Sequence, residues 1–160
     1  RQMCIRDRYI VLKHKLINKH FKRNMQEMNN IPKLFELASA AMKNAYVPYS
    51  RFAVGAAVLS SDGRFYAGCN VENVSYPCGS CAETGAIAAM IAGGSREIAE
   101  ILILGSGKEL ISPCGACRQR IKEFSAPQTL VHLADASGVR RTCTAAELLP
   151  FAFDEKDLAK

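Results

Sequence analysis

Apolar residues recur at helical spacing through Leu34, Leu37, Ala38, Ala41, Met42 and Ala45, so residues 32–46 read as an amphipathic helix. Val47-Pro48-Tyr49-Ser50 ends it, because proline denies its predecessor the helical region. Phe52 to Leu59 is a continuous apolar run, the pattern of a strand buried on both faces. Ser61-Asp62-Gly63 supplies a turn, and Arg64 to Val71 returns as the hairpin partner. Beyond a loop at Pro77 to Ser80, the Ala-rich stretch Cys81 to Ile91 reads as a helix closed by Gly93-Gly94. Ile98 to Leu104 reads as a strand, Cys114 to Phe124 as a helix and Thr129 to Ala134 as a strand. Val139 to Thr142 follows the turn Asp135-Ala-Ser-Gly138 as a further strand. Thr144-Ala-Ala-Glu147 is a capping-box pattern that starts a short last helix. Strands alternating with helices predict a layered α/β domain.

The 160 residues suffice for one domain with a real core, and 49% hydrophobic content predicts a packed globule. No apolar run approaches the roughly 18 residues needed to span a bilayer. Tyr9 to Ile17 is apolar but broken by Lys13 and Lys15, and makes a poor signal-peptide core. The net charge of +6 suggests a nucleic-acid partner until its location is considered. Residues 1–24 hold eight Lys/Arg against one acid, whereas residues 25–160 hold thirteen against fourteen. The basic character belongs to an N-terminal extension, residues 1–24, and the domain, residues 25–160, is nearly neutral. Two readings of the extension stay open. Met3-Cys-Ile-Arg-Asp7 back-translates as ATG TGT ATA AGA GAC, which resembles a sequencing-library adaptor. Part of the segment is then foreign, with Met25 or Met28 the true start. Otherwise it is a native basic arm.

Seven cysteines without a secretion signal indicate a reduced, cytoplasmic protein with a metal site. Cys81, Cys114 and Cys117 can hold one Zn²⁺, leaving a fourth tetrahedral position open to water, as in catalytic zinc sites. Both cysteine groups fall at predicted helix N-termini, where free N–H groups and the helix dipole favour the thiolate. Glu83, two residues after the first ligand, can reach the same cavity and carry protons for a zinc-activated water. A competing reading remains. Cys78-x-x-Cys81 with Cys114-x-x-Cys117 is also the pattern of a closed four-thiolate structural site, a zinc module without catalysis. In that case Glu83 is a first-turn acid favoured by the dipole.

Gly68-Cys-Asn-Val-Glu-Asn-Val-Ser-Tyr-Pro-Cys-Gly-Ser-Cys-Ala-Glu83 and Ser112-Pro-Cys-Gly-Ala-Cys-Arg-Gln119 resemble the small cytidine deaminases of nucleoside salvage. Tyr46-Val-Pro-Tyr-Ser-Arg-Phe-Ala-Val-Gly-Ala-Ala57 and Glu147-Leu-Leu-Pro-Phe-Ala-Phe153 match as well. The likeness covers about residues 31–158 and implies a three-layer α/β/α fold around a mixed sheet of about five strands. It also implies a homotetramer with active sites shared across interfaces. By the resemblance, Cys81, Cys114 and Cys117 fall on the zinc ligands and Glu83 on the catalytic glutamate. Asn70 and Glu72 fall on the positions that hold the ribose 3′-hydroxyl, and Phe52 on the ring that packs against the pyrimidine. The Ala82 N–H and the Ser112 carbonyl would contact the base. Tyr49 falls near the pocket, Tyr76 near the interface, and Phe153 on an aromatic that a neighbouring subunit contributes. The implied reaction is hydrolytic deamination of cytidine and deoxycytidine to uridine and deoxyuridine with release of ammonia.

Two positions depart from the family pattern. Many members have Arg directly after the catalytic glutamate, where this chain has Thr84, which can donate one hydrogen bond but brings no charge. Cys78 stands where the family places no ligand. His132, in an apolar strand, reads as a satisfied core or interface residue. Another cytosine nucleoside such as blasticidin remains a possible substrate. A polynucleotide is disfavoured, because a strand-binding groove needs basic and aromatic residues that the neutral domain lacks.

Overall fold

The computed structural model describes residues 30–158. The expectations for residues 1–24 lie outside the described residues. Helix α1 covers residues 30–42, and from Lys33 onward the chain forms one compact unit. Strands β1 (Val54–Ser60) and β2 (Phe65–Cys69) follow, then helix α2 (Ala82–Ala92) and strand β3 (Ile98–Gly105). Helix α3 (Gly115–Glu123), strands β4 (Ser125–Asp135) and β5 (Gly138–Thr144) and the short helix α4 (Ala145–Leu148) complete the order. The five strands form one mixed sheet in the order β2-β1-β3-β4-β5. β3 and β4 run parallel, joined through α3, and every other neighbouring pair is antiparallel.

Both faces of the sheet are covered. Ala56 and Val58 of β1, Ile101 and Ile103 of β3, and Val131 and Leu133 of β4 face one way. They pack with Ala86, Ile87 and Met90 of α2, Ile121 of α3 and Leu148 of α4 in the main core. Helix α1 approaches the opposite face of β1 so closely that a Cβ on Gly55 would lie 2.0 Å from the Ala38 carbonyl oxygen. Across the sheet, a Cβ on Gly68 would lie 2.3 Å from the Ala86 nitrogen, so glycine lets α2 sit down on β2. The apolar run of β1 is therefore buried on both sides, as its pattern predicts.

The end of the sheet that carries chemistry is set by register. Val54 at the start of β1 pairs with Gly105 at the end of β3, and Gly55 pairs with Cys69 at the end of β2. Gly105 leads through the loop at 106–114 to the N-terminus of α3. This gathers strand ends at the carboxyl edge of the parallel pair, where α/β sheets place ligands.

Beyond shifts of one or two residues at the ends of other elements, β2 and β5 among them, the structure differs from the pattern at three places. Helix α1 stops at residue 42 rather than 46. The chain peels away there because the Tyr46 N–H donates to the Asn70 carbonyl and the Tyr46 carbonyl accepts from the Glu72 N–H. Strand β1 starts at Val54 rather than Phe52, because side chains of Asn70 and Ser106 take the backbone groups of Phe52 and Ala53. Strand β4 starts at Ser125, ahead of Thr129, with an irregular register between Ile98↔Ser125 and Glu100↔Leu130 that accommodates Pro127. The capping box forms as read, with Thr144 accepting from the Glu147 N–H and Glu147 accepting from the Thr144 N–H. His132 is buried, bonded through Nδ1 to Thr142 Oγ1 at 2.9 Å and facing Glu100 through Nε2 at 3.4 Å.

Candidate active site

Cys81 and Cys114 are the N-cap residues of α2 and α3, and Cys117 is the third residue of α3. Their Sγ atoms all lie within 4.8 Å of one another, with Cys81 and Cys114 at 3.8 Å. Tetrahedral coordination with Zn–S bonds of about 2.3 Å places sulfurs about 3.8 Å apart, so the donor set matches zinc in chemistry and spacing. Cys78 is exposed and outside this cluster, its Sγ turned to Ser75 Oγ at 3.6 Å. Among the described residues three thiols converge rather than four, so a bound zinc would keep one tetrahedral position open to water.

The thiols are unequal. Burial pushes Cys81 above the ordinary thiol value, and nearby Cys114 and Glu83 add to the rise while Cys117 opposes it. Burial and the neighbouring Glu83 and Cys81 push Cys117 far up. Cys114 is lowered, because the Cys117 backbone N–H and the thiols of Cys117 and Cys81 outweigh its burial. A divalent cation is what allows all three to ionise together. Glu83, the second residue of α2, is 3% exposed. The next residue, Thr84, has its Oγ1 buried without a hydrogen-bond partner.

A cavity of about 670 Å³ opens onto this cluster. Cys81, Ala82, Glu83 and Cys114 line one part of it, and Tyr49, Phe52, Asn70, Glu72 and Ser112 line the rest. Its volume suits a ligand of nucleoside size. Among the described residues, no Lys or Arg lines it. Ala82 is the first residue of α2, so its N–H has no partner within the helix. Phe153 is 59% exposed and does not line the cavity of its own chain. Tyr76 lines the cavity rim and is 81% exposed.

Asn70 and Glu72 also shape the cavity wall, which the sequence did not reveal. Asn70 Oδ1 accepts from the Val54 N–H at 2.8 Å, and Nδ2 donates to the Phe52 carbonyl at 2.9 Å. Glu72 Oε2 accepts from the Tyr49 and Ser50 N–H groups at 2.9 and 3.2 Å. The Ser50 hydroxyl and these N–H groups hold the Glu72 carboxyl below its ordinary value. Together the two side chains clamp residues 49–54, including Arg51 with its left-handed φ of 56°, and so fix Phe52. Among the described residues, one amide hydrogen of Asn70 and one carboxylate oxygen of Glu72 take no partner. Asn70→Ala strips partners from two backbone groups and is expected to lower stability by about 2–3 kcal/mol. Thermal melting checks this, and an unchanged melting temperature would refute the clamp.

Comparison with known proteins agrees with this geometry. The family described as "Cytidine and deoxycytidylate deaminase zinc-binding region" matches residues 28–133, a span that contains Cys81, Glu83, Cys114 and Cys117. The chain is 41% identical over 130 residues to a cytidine deaminase of Sporosarcina psychrophila, covering 81% of this chain and 96% of the relative. It is 42% identical to one from Halalkalibacterium halodurans, over 78% of this chain and 95% of that protein. The crystal structure of cytidine deaminase from Burkholderia pseudomallei superposes with a TM-score of 0.71 at 44% identity, covering 76% of this chain and 97% of that one. A five-stranded mixed sheet, a three-cysteine cluster in the zinc-binding region and relatives matched over nearly their whole length place this chain in the cytidine deaminase family.

Proposed function

We propose that the chain hydrolyses cytidine and deoxycytidine to uridine and deoxyuridine, releasing ammonia. The observation that carries this is the convergence, among the described residues, of three thiols and not four on a cavity where Glu83 is buried beside them. Cys81, Cys114 and Cys117 would hold one Zn²⁺ per subunit, and the bound ion would supply the Lewis acidity that makes a water nucleophilic near neutral pH. Glu83 would take a proton from the attacking water, pass it to the pyrimidine ring nitrogen, and later protonate the departing amine. The attacked carbon gains the water oxygen and loses ammonia, so the reaction balances without redox change. The Ala82 N–H and the Ser112 carbonyl hold the base edge, and the Phe52 ring lies against its face. Asn70 and Glu72 hold a sugar hydroxyl with the donor and acceptor left over from their backbone clamp.

A cavity without Lys or Arg, with a carboxylate at its sugar end, favours a nucleoside over a nucleotide. The chain acts as a homotetramer in which Phe153 of a neighbouring copy completes the pocket. Support comes from Tyr46, Tyr49, Val74, Tyr76, Phe151 and Phe153, large apolar side chains left exposed on the single chain. Its place is the cytoplasm. The free thiols of the described cysteines suit that reducing compartment, and among the described residues no helix is long and apolar enough to cross a membrane.

The test is ammonia release from purified protein given cytidine, CMP or a cytosine-containing oligonucleotide. Cytidine is expected to turn over fastest. Turnover of the oligonucleotide but not of cytidine would overturn the proposal.

A further inference from the structure

Arg118 follows the ligand Cys117 in α3 and is half-buried. Among the described residues its guanidinium meets no carboxylate. Nε donates to the Pro113 carbonyl at 2.8 Å, Nη2 to Ser112 Oγ at 2.9 Å and Nη1 to the Leu148 carbonyl at 3.0 Å. Two of these acceptors lack regular partners. The Pro113 carbonyl stands just outside the N-terminus of α3, and the Leu148 carbonyl closes α4, where helices leave acceptors unpaired. One rigid fork therefore pins three points from two different segments.

We propose that Arg118 is a positioning residue for the reaction: it sets the strap Ser112–Cys114 at the height that serves both zinc and base. The strap carries the base contact at Ser112 and the ligand Cys114, with Pro113 between them, and Arg118 holds it from behind through both Ser112 and Pro113. The Leu148 bond ties the same fork to the start of the segment that ends in Phe153. The adjacent Gln119 reaches the far end of that segment, its Nε2 donating to the Phe153 carbonyl at 3.0 Å. Helix α3 thus registers the strap against the C-terminal segment. The base-contact half of this inference rests on the reaction proposed above, whereas the zinc half does not.

Lysine separates geometry from charge. A single ammonium cannot span three acceptors set out as a planar fork. Arg118→Lys and Arg118→Ala, as full-length chains, are compared with wild type for cytidine kinetics and for zinc affinity by competition with a chromogenic chelator. Both variants are expected to raise KM for cytidine and weaken zinc binding, each by about 10-fold or more, with Lys no better than Ala. Ser112→Ala keeps the backbone carbonyl and removes one acceptor, and is expected to raise KM about threefold with zinc affinity unchanged. Wild-type KM and zinc affinity in Arg118→Lys would overturn the proposal. Should both Arg118 variants fail to fold, a wild-type KM in Ser112→Ala would overturn it instead. Should wild type itself not turn over cytidine, the reaction reading fails, and the zinc affinity of Arg118→Lys still decides for or against the positioning role.

Discussion

Glu83→Gln is expected to lower kcat by about 10²–10⁴-fold while the protein keeps its zinc. Glutamine matches glutamate in shape and reach, so the side chain still fills its buried place at the second position of α2. What it cannot do is take up a proton and give it back, and the proposed cycle asks for that at the water, the ring nitrogen and the amine. The zinc site should not suffer. Glu83 is one of the causes that raise the thiols of Cys81 and Cys117, so its removal eases their ionisation. Ammonia release and zinc analysis on the same sample check both halves. A variant within tenfold of wild-type kcat would refute the proton-carrier role. A variant that lost its zinc would show Glu83 to be a support of the metal site instead.

Much of the frame was legible because its cues are local. The apolar run ahead of Ser61-Asp62-Gly63 gave a strand buried on both faces, since α1 and α2 cover both sides of the β1–β2 hairpin. The cysteines were legible as ligands at helix starts because an N-cap and the third residue of a helix turn towards the same point. What stayed hidden depended on partners distant in sequence. Nothing around Asn70 in the sequence marks its bonds to Phe52 and Val54, which lie eighteen and sixteen residues earlier in the chain. Arg118 follows a Cys-x-x-Cys pair and carries no mark of Leu148, thirty residues on. Cys78 misled in the opposite direction. Its spacing imitates a closed zinc site, but the 3₁₀ turn Tyr76–Cys78 leaves it exposed and outside the cluster.

The raised thiols of Cys81 and Cys117 make zinc binding steeply dependent on pH, and the direction follows from their shifts. Cys81 and Cys117 sit above the ordinary thiol value of 9.0, so at neutral pH both carry their protons in the metal-free chain. Zinc binds thiolates, and so must displace at least these two protons. Affinity should therefore rise with pH, by about 100-fold or more per pH unit while both groups remain protonated in the free protein. Cys114, shifted downward, adds a third proton only at pH values below its own transition. Titration with zinc in weakly buffered solution, with the released acid measured, checks the count. Release of fewer than two protons near pH 7 would refute it. Cys117→Ala removes the most buried ligand and leaves two sulfurs, too few for a site of this kind, so zinc and turnover should be lost together. Cys78→Ala is the contrasting control. A closed four-thiolate site would shed metal on losing Cys78, whereas the three-thiol cluster should hold zinc with wild-type affinity, because its sulfurs converge without it.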